Sequence, residues 1–551
     1  MAPSDTPPAL LWDEVSLEIR GQSILKDICL AVRRGECLAL VGESGSGKTL
    51  CCMAALGMLP DGGRLTSGRI EGLGQTWSSA SGEDLAGIPR GDRIAMVFQE
   101  PMTSLDPTMR CGKQLVEVLL RHREGWTQQQ AEDHAKGLLE EVRMPEVDRA
   151  MDAYPHALSG GQKQRILIAM ALANDPDILL ADEPTTALDS TLRADLLSLL
   201  RALQQQRGLA MVLVTHDMDV VRGQADSVAV LYRGEVVEHG PMSEVLEQPR
   251  HPYTRGLLAC SVPKQGRPTP LPVLGDLLDG EGRGAVPAQT ERMPAPTSAP
   301  LLLEVEGASK TYPGASVPAI DGVSIRLPEG GSLGLVGGSG CGKTTLARAI
   351  LGLHTLDAGR IHLAGRDVHD GQSASVAHIR SQVGLVFQDP RAALNPAKRV
   401  GPALTEVLLR WGTPAAEAQA EAIGLLHAVG LDEQAMNKRP DAFSGGQRQR
   451  IVIARALAAR PKLLVCDEAV AALDVSVQAQ VLNVLVDLQA QRGLSLLFIS
   501  HDLAVVRYLC DRTVVMDAGR VVEEGPSDQL WSTPQHPVTR RLQAAGGGAI
   551  A

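Results

Sequence analysis

Short apolar runs closed by polar or glycine-rich residues recur along the chain, and between them lie longer stretches whose apolar positions return every three or four residues. GECLALVG (35–42), DRIAMVFQ (92–99), DILLAD (177–182) and LAMVLVTH (209–216) are runs of the first kind. SGGQKQRILIAMALAND (159–175) is of the second kind. Runs that short predict strands, and the helical stretches between them predict a mainly parallel sheet flanked by helices, an α/β fold. No stretch approaches the roughly 18 uninterrupted apolar residues of a membrane span. The opening MAPSDTPPALLWDE lacks the basic and apolar regions of a signal peptide. The expectation is a chain that neither crosses a membrane nor is secreted.

The pattern occurs twice. GESGSGKT (42–49) is answered by GGSGCGKT (337–344), VFQEPMTSLDP (97–107) by VFQDPRAALNP (386–396), and LSGGQKQR (158–165) by FSGGQRQR (443–450). ILLADE (178–183) and VTHD (214–217) return as LLVCDE (463–468) and ISHD (499–502). Ser159 to Asp182 and Ser444 to Asp467 both span 23 positions, and Asp182 to His216 and Asp467 to His501 both span 34. Lys48 to Ser159 is 111 positions against 101 for Lys343 to Ser444, so the first copy carries ten more residues there, expected in surface loops. Residues 263–300 hold 8 Pro and 5 Gly without apolar periodicity and read as a linker, with Leu271, Leu274, Leu277 and Leu278 able to dock on a domain. The expected organisation is a domain over 10–262, a linker over 263–300 and a second domain over 301–545.

Composition narrows the functions. The 551 residues carry 53 basic and 64 acidic side chains, a net charge of −11, with five Trp, five Tyr and four Phe. That balance argues against a nucleic-acid partner, which asks for a basic footprint and aromatic platforms. The nine cysteines are scattered with no CxxC pair and read as reduced, mostly buried thiols.

Gly-x-x-x-x-Gly-Lys-Thr between an apolar strand and a helix is a P-loop: its glycines let backbone amides converge on phosphate oxygens at a helix N-terminus. The candidate nucleotide-binding residues are Gly42, Glu43, Ser44, Gly45, Ser46, Gly47, Lys48 and Thr49, and in the second copy Gly337, Gly338, Ser339, Gly340, Cys341, Gly342, Lys343 and Thr344. Lys48 and Lys343 suit the β/γ-phosphates, and the Thr49 and Thr344 hydroxyls suit Mg²⁺. Each apolar strand ending in Asp-Glu supplies two carboxylates. Asp182 and Asp467 suit the metal. Glu183 and Glu468 are placed to accept a proton from an attacking water. Ser159, Gly160, Gly161 and Gln162, like Ser444, Gly445, Gly446 and Gln447, stand where a serine N-cap and glycine amides open a helix and make an anion site. Gln99 and Gln388 suit a metal or its water, and His216 and His501 suit a γ-phosphate. The P-loops are specific by themselves; the Asp-Glu strand ends, SGGQ strings, glutamines and histidines are each weak alone, and their company with the P-loops and recurrence in the same order give them weight.

In this order the strings closely resemble the ATP-binding domains of ABC transporters: P-loop, glutamine loop, SGGQ signature, Asp-Glu strand end, Ala-Leu-Asp (187–189 and 472–474) and switch histidine. The resemblance implies two tandem P-loop domains, each with a parallel sheet core and a helical subdomain carrying the signature. It implies that ATP and Mg²⁺ bind where one domain's P-loop meets the other's signature, Lys48 with Ser444–Gln447 and Lys343 with Ser159–Gln162, the domains pairing when ATP is bound. Glu183, Glu468, His216 and His501 are the implied catalytic residues. YPHALSGGQ (154–162), DEPTTALD (182–189) and HPYTRGLL (251–258) resemble the peptide/nickel/opine importer branch. That branch implies two integral-membrane permease subunits, a solute-binding protein and a peripheral place on the cytoplasmic face of the inner membrane. Departures are present. Tyr312, suited to stacking on adenine, is matched by Ile19 in the first copy, EAVAALD stands for EPTxALD, and HPVTRRL only partly repeats HPYTRGLL. Cys260 stands alone, so no iron-sulfur cluster is expected. A soluble twin ATPase acting on ribosomes or nucleic acid is the alternative. The Pro/Gly-rich linker, the EPTTALD string and the acidic charge weigh against it. A site that binds ATP for regulation without turning it over is a further possibility that no core residue demands.

Overall fold

The computed structural model describes residues 7–80, 87–99, 104–123, 125–185, 188–263, 265–278, 290–291, 299–369, 379–471 and 473–546. Ala187 and Ala472 of the Ala-Leu-Asp strings, and much of the expected linker, lie outside them. The chain divides into two compact units, the first built mainly from residues before 260 and the second from 260–276 and 285 onward.

In the first unit, β1 (Leu10–Ile19), β2 (Gln22–Val32), β4 (Gly63–Gly72) and β5 (Gln75–Ser79) form an antiparallel sheet in the order β2-β1-β4-β5. The main sheet runs β10-β9-β3-β8-β7-β6, from β3 (Cys37–Val41), β6 (Ile94–Val97), β7 (Ile178–Asp182), β8 (Ala210–Thr215), β9 (Ser227–Tyr232) and β10 (Glu235–Pro241). Its pairings are parallel except β9 with β10. β3, β7 and β8 are buried at every position, which is why their sequences are unbroken apolar runs. The P-loop helix Lys48–Ala55 packs among strands of both sheets through Cys51, Cys52, Ala54 and Ala55, and Trp12 Nε1 donates to Cys51 O at 3.1 Å. Burial pushes the Cys37 and Cys51 thiols up to about 12, so they act as small apolar fillers.

Helices Cys111–His122, Gln128–Glu141, Val147–Asp152 and Gly160–Leu172 form a packed helical group, and the last also reaches β6. It is the helical subdomain that carries the signature.

At the start of the second unit, β11 (Pro268–Thr269) pairs with β12 (Thr290–Glu291). The second unit repeats the plan. β13 (Leu301–Lys310), β14 (Ile320–Pro328), β16 (Ala358–Leu363) and β17 (Arg366–Asp367) make the antiparallel sheet. The main sheet is β18-β19-β20-β15-β21-β22, from β15 (Ser332–Val336), β18 (Val383–Val386), β19 (Leu463–Asp467), β20 (Ser495–Ser500), β21 (Arg512–Asp517) and β22 (Arg520–Pro526). Helices Val400–Arg410, Ala415–Ala428 and Gly445–Leu457 form its helical group.

The ten additional residues of the first copy are not confined to loops. β4 has ten residues and β5 five, where β16 has six and β17 two. A longer hairpin satisfies its added backbone groups by pairing, which a loop of the same length would leave to water.

Candidate functional site

In each unit the P-loop bridges the end of a buried strand and the start of a helix. Gly42 follows β3 at φ +155°, and a Cβ there would lie 2.3 Å from Leu231 O and 2.8 Å from Ser46 Oγ. Gly337 follows β15, and a Cβ would lie 2.3 Å from Met516 O. Only a residue without a side chain fits against β9 or β21 there. Lys48 Nζ donates to Gly42 O at 2.7 Å and Glu43 O at 2.9 Å, and Lys343 Nζ to Gly337 O at 2.7 Å and Gly338 O at 2.9 Å. Both ammonium groups are thus buried and folded onto the loop. Ser46 Oγ is buried with no hydrogen-bond partner among the described residues, an orphan that suits a phosphate oxygen. Cys341 takes its place in the second unit, 3.7 Å from Lys343 Nζ.

The Asp-Glu strand ends lie beside the loops. Thr49 Oγ1 donates to Asp182 Oδ1 at 3.1 Å, and the Thr344 side chain draws the Asp467 carboxyl down. Burial pushes Asp182 up to about 6, above the usual carboxylate range, against the pull of Thr49 and Lys48, and raises Asp467 likewise. These oxygen donors fit a hard divalent cation, which would relieve the buried charge. No cluster of three or more His, Cys, Asp or Glu able to hold a metal occurs among the described residues, so such an ion would draw its other ligands from groups of other kinds.

Glu183 and Glu468 follow at φ +43° and +49°, a left-handed conformation uncommon for a side-chain-bearing residue. Each is pinned by its own amide, Glu183 N to Val214 O at 3.1 Å and Glu468 N to Ile499 O at 3.0 Å. One carboxylate oxygen accepts from the glutamine amide, Gln99 Nε2 at 2.9 Å or Gln388 Nε2 at 2.7 Å. The other faces the histidine, His216 Nδ1 at 3.3 Å or His501 Nδ1 at 3.7 Å. That ring holds Glu468 below the usual glutamate range, against its burial. The glutamines therefore reach the glutamates through their amide nitrogens.

The signatures stand on the helical groups. Ser159 and Ser444 N-cap helices Gly160–Leu172 and Gly445–Leu457 in reciprocal capping boxes with Gln162 and Gln447. A Cβ on Gly446 would lie 1.9 Å from Val477 Cγ1. Tyr312 follows β13, half-buried, its hydroxyl 3.3 Å from Thr345 Oγ1 and its ring edge-on to His354, while Ile19 ends β1. An anion cradle, oxygen donors for a cation and a fixed carboxylate at one sheet end constitute the equipment for transferring a phosphoryl group to water.

A family model described as ABC transporter matches residues 25–186 and 320–471, and one described as oligopeptide/dipeptide transporter, C-terminal region, matches 237–275. The chain is 40% identical to the glutathione import ATP-binding protein GsiA of Pectobacterium atrosepticum over 98% of this chain and 91% of that one. It is likewise 40% identical to the proteins of that name from Salmonella typhimurium, over 96% and 88%, and Escherichia coli, over 95% and 86%.

Proposed function

The chain belongs to the ABC transporter family, with two of its ATP-binding domains in one polypeptide, and from that premise we propose that it is the ATP-hydrolysing subunit of an importer for peptides or a related small solute, glutathione, a nickel chelate or an opine among them. The observation that carries the catalytic part is that both units bring lysine, threonine, aspartate, glutamate, glutamine and histidine to one sheet end. Near-full-length similarity to import ATPases supports transport over a ribosomal or nucleic-acid role.

In this reading Lys48 and Lys343 leave their loop carbonyls for ATP phosphate oxygens, and the loop amides and Ser46 complete the cradle. Thr49 with Asp182, and Thr344 with Asp467, hold Mg²⁺, and Gln99 and Gln388 keep their carbonyl oxygens for it or its water. The ion, when bound, neutralises charge on the phosphate oxygens. Glu183 and Glu468, oriented by glutamine and histidine, accept the hydrogen bond of the attacking water and take its proton. His216 and His501 face the γ-phosphate, Tyr312 and Ile19 the adenine, and the signature residues Ser159–Gln162 and Ser444–Gln447 bind nucleotide phosphate. As an importer ATPase the chain works with membrane permeases, and no helix among the described residues is long and apolar enough to cross a membrane itself. We place it on the cytoplasmic face of the inner membrane with two permease subunits and a solute-binding protein.

Uptake of labelled glutathione and dipeptides by cells lacking the chain, restored by wild type, tests this. Lys48→Ala with Lys343→Ala, or Glu183→Gln with Glu468→Gln, is expected to abolish restoration. Full transport with all four positions substituted would overturn it.

A further inference from the structure

The chain leaving the first domain is not a bare tether, because Cys260–Asp276 packs as part of the second unit. Arg267, 5% exposed, reaches Asp511 Oδ1 at 3.4 Å and Asp528 Oδ2 at 3.0 Å. Arg507, 2% exposed, donates to the carbonyls of Pro263 and Gly266 and pairs with Asp528 at 3.3 Å. Tyr508 Oη donates to Pro268 O at 3.1 Å. Farther along, Leu271 is held both ways by one amide: its N donates to Asn483 Oδ1 at 2.8 Å, and Asn483 Nδ2 donates to its O at 2.9 Å. The side chains of Leu271 and Leu274 are buried.

The repeat explains the guanidinium. An offset of 285 carries His216 onto His501, and with it Asp226 onto Asp511 and Arg201 onto Val486. In the first unit Asp226 is paired by Arg201 of helix Ser190–Arg207 at 2.6 and 2.8 Å. In the second unit the matching helix Val475–Arg492 offers Val486, and Arg267 reaches the equivalent carboxylate instead. Asp511 is part-buried and its other oxygen accepts from Ser332 Oγ at 2.9 Å, so its paired cation in the second domain comes from outside that domain's own repeat.

Arg507 and Tyr508 belong to helix Leu503–Leu509, which starts two residues after His501 and is capped by Asp502. We propose that Pro263 and residues 265–276 act as a docking strap that completes the second ATPase domain, and that Arg267 is a positioning residue fixing helix Leu503–Leu509 and, through it, His501. The functional part rests on the proposed hydrolysis at the second site. The structural part does not, so the two are tested separately.

The experiment is hydrogen exchange on the full chain, following amides 503–510 with 218–225, the aligned first-unit segment, as internal control. Arg267→Met is expected to speed exchange at 503–510 about tenfold or more, leaving 218–225 unchanged. With Glu183→Gln added to silence the first site, kcat for ATP should fall several-fold on Arg267→Met with KM retained. Asn483→Ala releases the strap at its other end and gives the same pattern, which keeps the test available if Arg267→Met disturbs the whole chain. Wild-type exchange at 503–510 in both variants overturns the strap. Faster exchange there with unchanged kcat overturns the positioning of His501.

Discussion

Glu183 and Glu468 hold a backbone conformation that costs of order 1 kcal/mol for a residue with a Cβ. Both units retain it, each with an amide bond to the neighbouring strand and a glutamine and a histidine on the carboxylate. Glu183→Gln together with Glu468→Gln keeps the shape and removes both proposed bases, so kcat is expected to fall about 10²-fold or more with ATP binding intact. Single-turnover hydrolysis beside nucleotide titration checks this, and a wild-type rate would contradict it. Gly42→Ala acts on the cradle, since its methyl would overlap Leu231 O. Nucleotide affinity of one of the two sites should drop at least about tenfold in a folded protein, and two sites of unchanged affinity in a fluorescent-nucleotide titration would contradict that. The identities of these residues were legible in the sequence because a phosphate loop restricts which residues fit. Their contacts were not: no string shows that Gln99 meets Glu183, or that Ser46 is orphaned where Cys341 neighbours Lys343.

Among elements, the junction after β10 and β22 repeats closely. Glu238 accepts the amides of Arg250 at 2.7 Å and His251 at 3.1 Å, and Glu523 those of Gln535 at 2.9 Å and His536 at 3.0 Å, fixing the starts of helices Pro252–Ala259 and Pro537–Ala545. Burial raises both carboxyls, but the hydrogen bonds outweigh it and leave them below the ordinary glutamate value of 4.5. A carboxyl lowered on folding stabilises above its unfolded value and loses that contribution as pH falls through its folded value. Glu238→Gln should therefore cost about 1 kcal/mol at pH 7, a gap that closes on acidification below 4.5. Thermal melts across that range check it, and a widening gap would contradict it. Strands and helices of the ATPase core were legible because burial on both faces leaves unbroken apolar runs, as in β3 and β8. The strap was less so. Leu271 hinted at docking, but a Pro/Gly-rich segment has no period, and Arg267 gains meaning only beside Val486 and Asp511.

For the whole molecule, the equal spacings of 23 and 34 made two domains legible before any coordinates, and each unit carries a complete set of site residues. The two sites are therefore expected to be comparable in turnover. Glu183→Gln and Glu468→Gln should lower steady-state ATPase by similar factors, whereas a silent Glu468→Gln would mark the second site as regulatory. Transported solute was legible only through resemblance, because the proposed roles of these residues concern phosphate and water. The central claim is that hydrolysis by this chain powers solute entry, and the most direct measurement is uptake of labelled glutathione and dipeptides in cells whose only copy carries Lys48→Ala and Lys343→Ala. The account predicts that uptake falls to the level of cells lacking the chain. Uptake equal to wild type from that variant would contradict it.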